Sequence, residues 1–277
     1  MPDDQSPAFS AVFNSQFSFG PAQRLRGQLG TDVLDGLIAG IDEFRAAAIG
    51  GRSHRMLGPA MLGAFAWLTD PKLLDRIADF PHACVAFTKL PRPLPPAKLA
   101  SLDTVLDRCP GFPADALPGL DGLVLRDEEG QALVVGPSTP LPHLQIPALR
   151  TIGYRRTGDR LVPLLHAKMV LLGELWWHDE DDFGLADVLI FRPRRLWIGS
   201  ANGTFSSRSS LEFGCWQDDP ELLRQAKQFL IQVVRHSEDL DPDANDMEPD
   251  LVEPEFDEEA MAEAAALFDD DNDPTGA

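Results

Sequence analysis

The residues of this chain that can do chemistry lie in one stretch, residues 165–215. In chain order they are His166, Lys168, Ser200, Asn202 and Glu212, with Gly199 completing a Gly-Ser-x-Asn turn. Each falls at the edge of an apolar run that has the character of a β-strand. A neutral imidazole can attack phosphorus and hold it as a phosphohistidine, which divides one difficult displacement into two easier ones. Together these residue types are what attack on a phosphodiester without a metal requires.

The spacing of these residues predicts that their polar groups converge. Residues i and i+2 of a strand share a face, so the heads of His166 and Lys168 should point into the same space. Lysine provides a compact positive charge for the nonbridging oxygens of a phosphate. Ser200 and Asn202 share a face by the same rule and can donate hydrogen bonds to the developing charge. Glu212 is the best candidate to orient the imidazole, because a carboxylate there would fix the tautomer.

In this order, the motifs resemble those of the phospholipase D superfamily, which is known for its HKD motif. The matching residues are His166, Lys168, Gly199, Ser200, Asn202 and Glu212. The chain is most similar to the single-motif branch with a short HAK…GSAN signature, which includes many nuclease-like bacterial proteins. The family motif has an aspartate seven residues after the histidine, where this chain has Gly173 followed by Glu174.

The resemblance implies an α/β fold with a phospholipase D-like mixed sheet flanked by helices. It implies a metal-independent phosphodiesterase without a cofactor, a nuclease that acts on nucleic acid through a phosphohistidine. Single-motif relatives pair two chains, one His166 attacking while the other protonates the leaving oxygen. We therefore expect a homodimer with a shared active site. The branch often accompanies helicases and restriction or phage-defence components, which suggests a role in bacterial defence.

Two other readings of the same residues stay open. The chain can be a phospholipase or phosphatidyltransferase, although no flanking lipid-binding helix supports a membrane substrate. It can also be a catalytically inactive scaffold, since the motif aspartate is replaced by Gly173. Turnover of a generic phosphodiester separates the enzymes from the scaffold, and nucleic acid against lipid substrates separates the two enzymes.

The charge of the chain is concentrated at its C-terminus. The 277 residues include 24 Lys and Arg and 44 Asp and Glu, a net charge of −20. Residues 238–277 carry seventeen acidic and no basic side chains, so residues 1–237 are left with 27 acidic and 24 basic ones. The prolines and acidity of this tail favour disorder. The tail can lie over the cationic groove around Lys168, or it can dock a defence-system partner through the helically spaced apolar residues of 256–268.

The cysteines and apolar runs point to the cytoplasm. Cys84, Cys109 and Cys215 are far apart and form no CxxC pair, which argues against disulfides and against a zinc site. The N-terminus has no basic region followed by an apolar run, and the longest apolar stretch, 56–68, is too short to cross a bilayer. His178 beside the acidic run 179–182 could suggest a metal, but an exposed hairpin tip is the better interpretation.

The remaining pattern predicts the elements that position these residues. Strand-like runs at 61–68 and 83–87 flank a helix that begins after Asp70, which is the unit from which parallel sheets are built. Further strands are expected at 168–172, 187–191 and 195–199, a hairpin from 122–125 and 132–135, and a final helix from Asp219. We expect an N-terminal arm and helix (1–54), a catalytic domain (55–237) and a disordered tail (238–277). His82, Lys89 and His143 are interpreted as edge or loop residues.

Overall fold

The computed structural model describes residues 15–19, 25–50, 55–89, 95–126, 132–136, 144–157, 160–179 and 187–241. The helices are α1 (Val33–Gly50), α2 (Pro71–Ala78), α3 (Pro96–Arg108) and α4 (Pro220–Arg235). The strands are β1 (Ser15–Phe19), β2 (Leu25–Gly30), β3 (Met56–Phe65), β4 (His82–Thr88), β5 (Phe112–Pro113), β6 (Val124–Arg126), β7 (Ala132–Val134), β8 (Gln145–Ile146), β9 (Leu149–Ile152), β10 (Tyr154–Thr157), β11 (Arg160–Pro163), β12 (Lys168–Asp179), β13 (Asp187–Gly199), β14 (Glu212–Gln217) and β15 (Glu238–Asp239).

The main sheet mixes parallel and antiparallel strands. Its nine described strands follow the order β1-β2-β14-β13-β12-β3-β4-β9-β15. The pairs β3–β4 and β4–β9 are parallel, and the other neighbours are antiparallel. The expected strand–helix–strand unit is therefore present as β3-α2-β4. Asp70 caps α2 by accepting a hydrogen bond from the backbone N–H of Leu73 at 3.0 Å, with Pro71 in the first turn.

Helices cover both faces of the sheet, which explains why its central strands are apolar runs rather than alternating patterns. On β12, Val170 and Leu172 pack into a core with α1, α2 and α3. Leu171 and Leu175, which point the other way, pack into a second core with α4. The expected fold class, a mixed sheet flanked by helices, is confirmed.

The two strands that carry the motif are longer than the sequence predicted. β12 and β13 pair from Met169↔Ile198 to Asp179↔Asp187, so β12 continues well past Leu172, where the sequence predicted its end. Two aromatic and ionic contacts stabilise this extension. The guanidinium of Arg192 lies over the Trp176 ring at 5.1 Å, and Arg194 pairs with Glu174 at 3.0 Å. Residues 180–186 lie outside the described part.

The N-terminal residues belong to the same sheet. β2 pairs with β14 over Glu212↔Gly30 to Trp216↔Arg26, and β1 pairs with β2. α1 contributes Leu34, Leu37 and Ile41 to the core above β12. The structure therefore differs from the expected division at residue 54, because α1 and β2 supply part of the packing around the motif strands.

The C-terminal boundary also differs from the expected one. Glu238 and Asp239 form β15, which pairs with β9 at Glu238↔Thr151 and Asp239↔Arg150. The fully buried guanidinium of Arg150 forms an ion pair with Asp239, so these acidic residues belong to the folded body. The composition placed them in the tail because a count of charges does not reveal a buried partner. Residues 242–277, including the expected helix at 256–268, lie outside the described part. No helix of the described chain is long and apolar enough to cross a membrane.

Candidate active site

The five predicted site residues lie at one end of the central strands. Lys168 is the first residue of β12 and is opposite Phe65, the last residue of β3. β13 ends at Gly199, which is opposite Gly214 of β14, and β14 begins at Glu212. Ser200 and Asn202 follow β13 directly. The antiparallel pairing thus brings the starts of β12 and β14 and the end of β13 to the same edge.

The cation and the carboxylate also share a face of the sheet. Lys168 is on the same face of β12 as Val170 and Leu172, which pack beneath α1. Glu212 is on the same face of β14 as Trp216, which belongs to the same core. Both side chains therefore stand on the α1 side. Glu212 acts electrostatically on Lys168, as expected for neighbours.

His166 and Lys168 are in direct contact, as the sequence predicted. The Lys168 ammonium nitrogen lies 3.2 Å from Nδ1 and 3.1 Å from Nε2 of His166, and it donates to the His166 carbonyl oxygen at 3.1 Å. The imidazole is exposed. Its backbone position is set by the Thr88 hydroxyl, which donates to the carbonyl oxygen of Leu165 at 3.0 Å. Partial burial lowers the pKa of Lys168, and the negative charge of Glu212 opposes that shift.

Glu212 is paired differently from the expectation. Its Oε2 accepts a hydrogen bond from the Ser200 hydroxyl at 2.5 Å. The Ser200 oxygen in turn accepts from the backbone N–H of Phe213 at 2.9 Å, and the Ser200 N–H donates to the Phe213 carbonyl at 2.9 Å. The carboxylate thus orients the serine, and the group beside the imidazole is the ammonium of Lys168.

The loop that follows β13 is held by its own backbone. The Gly203 N–H donates to the Trp67 carbonyl at 2.9 Å, and the Gly203 carbonyl accepts from Thr69 and Asp70 at 2.6 and 2.7 Å. These bonds fix Asn202 beside the end of β3. The Asn202 side chain is half-buried, and its buried Oδ1 has no hydrogen-bond partner among the described residues. This oxygen is an acceptor, so the group of Asn202 that can donate to a phosphate is its side-chain NH2.

Arg208 is a positioning residue that the sequence did not reveal. It donates to Asp70 from Nε at 3.0 Å and from Nη2 at 3.2 Å, and it forms an ion pair with Asp35 of α1. These hydrogen bonds, with Asp70 first, raise its pKa. Arg208 lies in the 3-10 turn Phe205–Ser209, directly after the Asn202 loop, and connects that loop to α1 and α2. The only sequence signal was the capping residue Asp70, whose second role depends on a partner 138 positions away.

The packing around Gly173 excludes the motif aspartate. The β12–β13 register shifts between Leu172 and Gly173, and Gly173 is opposite Pro193. A Cβ at Gly173 would overlap the carbonyl oxygen of Arg192 and would lie 2.5 Å from the Phe191 ring. The neighbouring Glu174 does not replace it, because its carboxylate accepts from Arg194 and from the Trp176 indole, each at 3.0 Å. Glu174 lies about 20 Å along the strand from Lys168.

A glycine is also required at the end of β13, directly before Ser200. A Cβ at Gly199 would lie 2.7 Å from the carbonyl oxygen of Phe213, so β13 and β14 could not approach as closely there. That close approach is what brings Ser200 within reach of Glu212. The first position of the Gly-Ser-x-Asn turn therefore has a steric reason to be glycine.

Metal ligands and other histidines do not converge on this edge in the described chain. No group of three His, Cys, Asp or Glu side chains is placed to hold a metal ion within the described residues. His178 belongs to β12, about 33 Å along the strand from Lys168. His82 begins β4 at the far end of the sheet, and burial lowers its pKa. His143 lies outside the described residues.

No protein-family model matches the chain, and no curated protein sequence matches it either. Among solved structures, it is similar to NucT from Helicobacter pylori, with a TM-score of 0.42 and 13% identity over 82% of this chain and 98% of that chain. It is also similar to Nuc from Salmonella typhimurium, with a TM-score of 0.42 and 10% identity over 78% of this chain and 98% of that chain. Nuc is described as a phospholipase D family member, the family that the motifs resemble.

Proposed function

We propose that the chain is a metal-independent phosphodiesterase that acts through a phosphohistidine on His166. The observation that carries the proposal is the pair of contacts at one strand edge. The Lys168 ammonium lies within 3.2 Å of both imidazole nitrogens. At the adjoining ends of β13 and β14, the Ser200 hydroxyl donates a hydrogen bond to Glu212 at 2.5 Å. A nucleophile, a cation and an oriented hydroxyl are thus placed where an exposed phosphate can reach them.

The groups act in sequence on a bound phosphodiester. A nonbridging oxygen replaces the imidazole as the acceptor for Lys168, which frees a ring nitrogen. That nitrogen attacks phosphorus, the phosphorus–oxygen bond to the leaving group breaks, and the leaving oxygen takes a proton from a general acid. Asn202 donates from its side-chain amide to the negative charge that develops on the phosphate oxygens, and Ser200 joins it when its single hydroxyl proton turns from Glu212 to the phosphate. Water then cleaves the nitrogen–phosphorus bond and regenerates the imidazole.

The general acid is proposed to come from a second copy of the chain. An in-line displacement needs an acid on the side opposite the nucleophile, and no second histidine of the described chain stands at this edge on the same face of the sheet as Lys168. His236 follows α4, which packs on the face of the sheet opposite to Lys168. A homodimer in which two His166 side chains face each other supplies the missing proton. Sedimentation that shows an active monomer would contradict it.

Nucleic acid is the proposed substrate, and bacterial phage defence or restriction is the proposed setting. Both follow from the resemblance of the motifs. The charge distribution is compatible with this substrate, because residues 1–237 are close to neutral while residues 238–277 hold seventeen of the acidic side chains.

The test is turnover of a small phosphodiester, bis(p-nitrophenyl) phosphate, by the purified full chain with and without EDTA. His166→Ala should abolish turnover while circular dichroism and sedimentation stay unchanged. Lys168→Ala and Asn202→Ala should each lower kcat by about 10²-fold or more, the scale for one preorganised donor. His236→Ala is the matched histidine control and should keep normal turnover.

Each alternative predicts a different result. Near-normal turnover in His166→Ala contradicts the covalent mechanism, and complete loss in EDTA with rescue by a divalent ion contradicts metal independence. An inactive scaffold would show no turnover in the unaltered chain. A phospholipase would cleave a phosphatidyl substrate in preference to an oligonucleotide.

A further inference from the structure

A small arginine-bearing ribbon precedes the nucleophile in the chain. β10 and β11 form a separate two-stranded antiparallel sheet, paired from Tyr154↔Pro163 to Thr157↔Arg160. The backbone N–H of Leu164 donates to the Gly153 carbonyl at 3.3 Å, which closes the base of this ribbon. Among the described residues, neither strand pairs with the nine-stranded sheet.

The base of the ribbon lies at the same edge of the sheet as His166. β10 follows β9, whose last residue Ile152 is opposite Thr88 at the end of β4. The chain leaves β11 and reaches His166 after Leu164 and Leu165. The Leu165 carbonyl oxygen accepts a hydrogen bond from the Thr88 hydroxyl. β9 and β12 are three strand positions apart in the sheet, which corresponds to about 14 Å.

Arginines stand on both faces of the ribbon. The register places Arg155 opposite Val162 and Thr157 opposite Arg160, so Arg155 and Arg160 share one face. Arg156 is opposite Leu161 and therefore stands on the other face. The three arginine side chains are exposed, and so are Leu161 and Val162. A two-stranded element with cations on both faces differs from a flat basic patch, because it can contact two negatively charged walls at once.

We propose that the β10–β11 ribbon enters the major groove of double-stranded DNA beside the scissile phosphate. The major groove admits a two-stranded β-ribbon, and its walls are the phosphate backbones of two different strands. Arg155 and Arg160 contact one backbone and Arg156 the other. Four residues per strand give the ribbon a length of about 13 Å, comparable to the width of the groove. A single strand offers one backbone and cannot use both faces.

This inference names the substrate class of the proposed active site and therefore rests on the proposed function for cleavage, but DNA binding can be measured without cleavage. The experiment uses the full chain with His166→Ala, a 30-base-pair DNA duplex, and one of its strands alone. The test variant adds Arg155→Ala and Arg160→Ala. The control variant adds Arg26→Ala and Arg224→Ala, two exposed arginines at the opposite end of the sheet.

The expected result is a selective loss of duplex affinity. Two lost phosphate contacts should reduce the slope of log K against log salt concentration by about 2, with at least about a 10-fold weaker Kd near 0.1 M salt. The control variant should bind the duplex like its parent. The single strand can use the Arg156 face in place of the altered one, so it should lose less affinity than the duplex.

Other outcomes overturn the inference in distinct ways. Unchanged duplex affinity in the test variant shows that the ribbon does not bind DNA. Equal losses for duplex and single strand show that it follows one backbone and does not enter a groove. If the test variant loses duplex affinity only while residues 242–277 are present, the ribbon binds the acidic tail and not DNA. Failure of the proposed function is separate, because it shows as absent turnover of bis(p-nitrophenyl) phosphate by the chain with His166 and both arginines intact.

Discussion

The point at which the acidic tail can be removed follows from the buried Arg150. Its guanidinium donates to the hydroxyl and the carbonyl of Ser237, each at 2.6 Å, and to the Val124 carbonyl at 2.8 Å, and it pairs with Asp239. Burial lowers the pKa of Arg150, and the carboxylate of Asp239 opposes that shift most strongly. A chain that ends at residue 237 loses this carboxylate but gains a terminal carboxylate on Ser237, beside the same guanidinium. Asp239→Asn in a chain that ends at residue 241 therefore isolates the loss of the partner.

The cost of Asp239→Asn in the chain ending at 241 is set by an uncompensated buried charge. Removing one partner of a buried ion pair destabilises a protein by about 3–5 kcal/mol. The truncation at 237 also removes Glu238, whose carboxylate pairs with Lys89 at 2.7 Å. For a folded body of this size, about 3–5 kcal/mol corresponds to a fall in Tm of about 6–20 °C. The truncation at 241 should leave Tm unchanged.

Thermal and urea unfolding of the chain ending at 241 and of its variants measure the difference. Asp239→Asn should show the full loss, and Asp218→Asn, at an exposed position after β14, is the matched control. Replacing both partners, Arg150→Met with Asp239→Leu, should recover part of the stability because no buried charge is left alone. Equal Tm values for the chain ending at 241 and its Asp239→Asn variant would refute the assignment of Asp239 to the folded body.

Three further predictions concern the site. Gly173→Asp should destabilise the protein by about 3 kcal/mol or more and should not raise turnover, because the side chain would be forced against Phe191 and Arg192. In urea unfolding, Gly173→Ala should lose part of the same stability. An aspartate variant with higher turnover would contradict this prediction. On the alkaline side, kcat/KM should fall at a pH below the ordinary pKa of lysine, because the protonated form of Lys168 is required and burial lowers its pKa. Lys168→Arg should remove this alkaline fall, since arginine stays protonated. An alkaline fall that persists in Lys168→Arg would belong to another group. Deleting residues 242–277 should tighten nucleic-acid binding at low salt, with a difference that shrinks as the Debye length falls to about 8 Å at physiological ionic strength; unchanged binding would favour partner docking.

Local rules predicted local structure in this chain. The α2 start at Asp70-Pro71 depends on hydrogen bonds within four residues, and the contact between His166 and Lys168 depends on alternation within one segment. Both were predictable without knowledge of the fold. The parallel pairing of β3 and β4 followed from the helix between them.

The choice of partner across the fold was not predictable in the same way. The sequence predicted that Glu212 orients His166, whereas the β13–β14 register brings it to Ser200. Arg208 and Asp70 are 138 positions apart, and Arg150 and Asp239 are 89 apart. No pattern of charge along the chain distinguishes these pairs from solvated residues, so the boundary at 238 was placed on composition alone.

The replacement of the motif aspartate by Gly173 is best understood as a packing change. The Cβ position of Gly173 faces Phe191, which belongs to the core beneath α4, whereas Lys168 and Glu212 stand on the α1 side. Gly173 also lies about 16 Å along β12 from Lys168. A carboxylate at this position could not reach the imidazole of His166 in this fold. The groups that position the site instead are the Thr88 hydroxyl and the Arg208 guanidinium, which act on the segments before β12 and after β13. The departure from the motif therefore removes no group from the strand edge at which the proposed chemistry takes place.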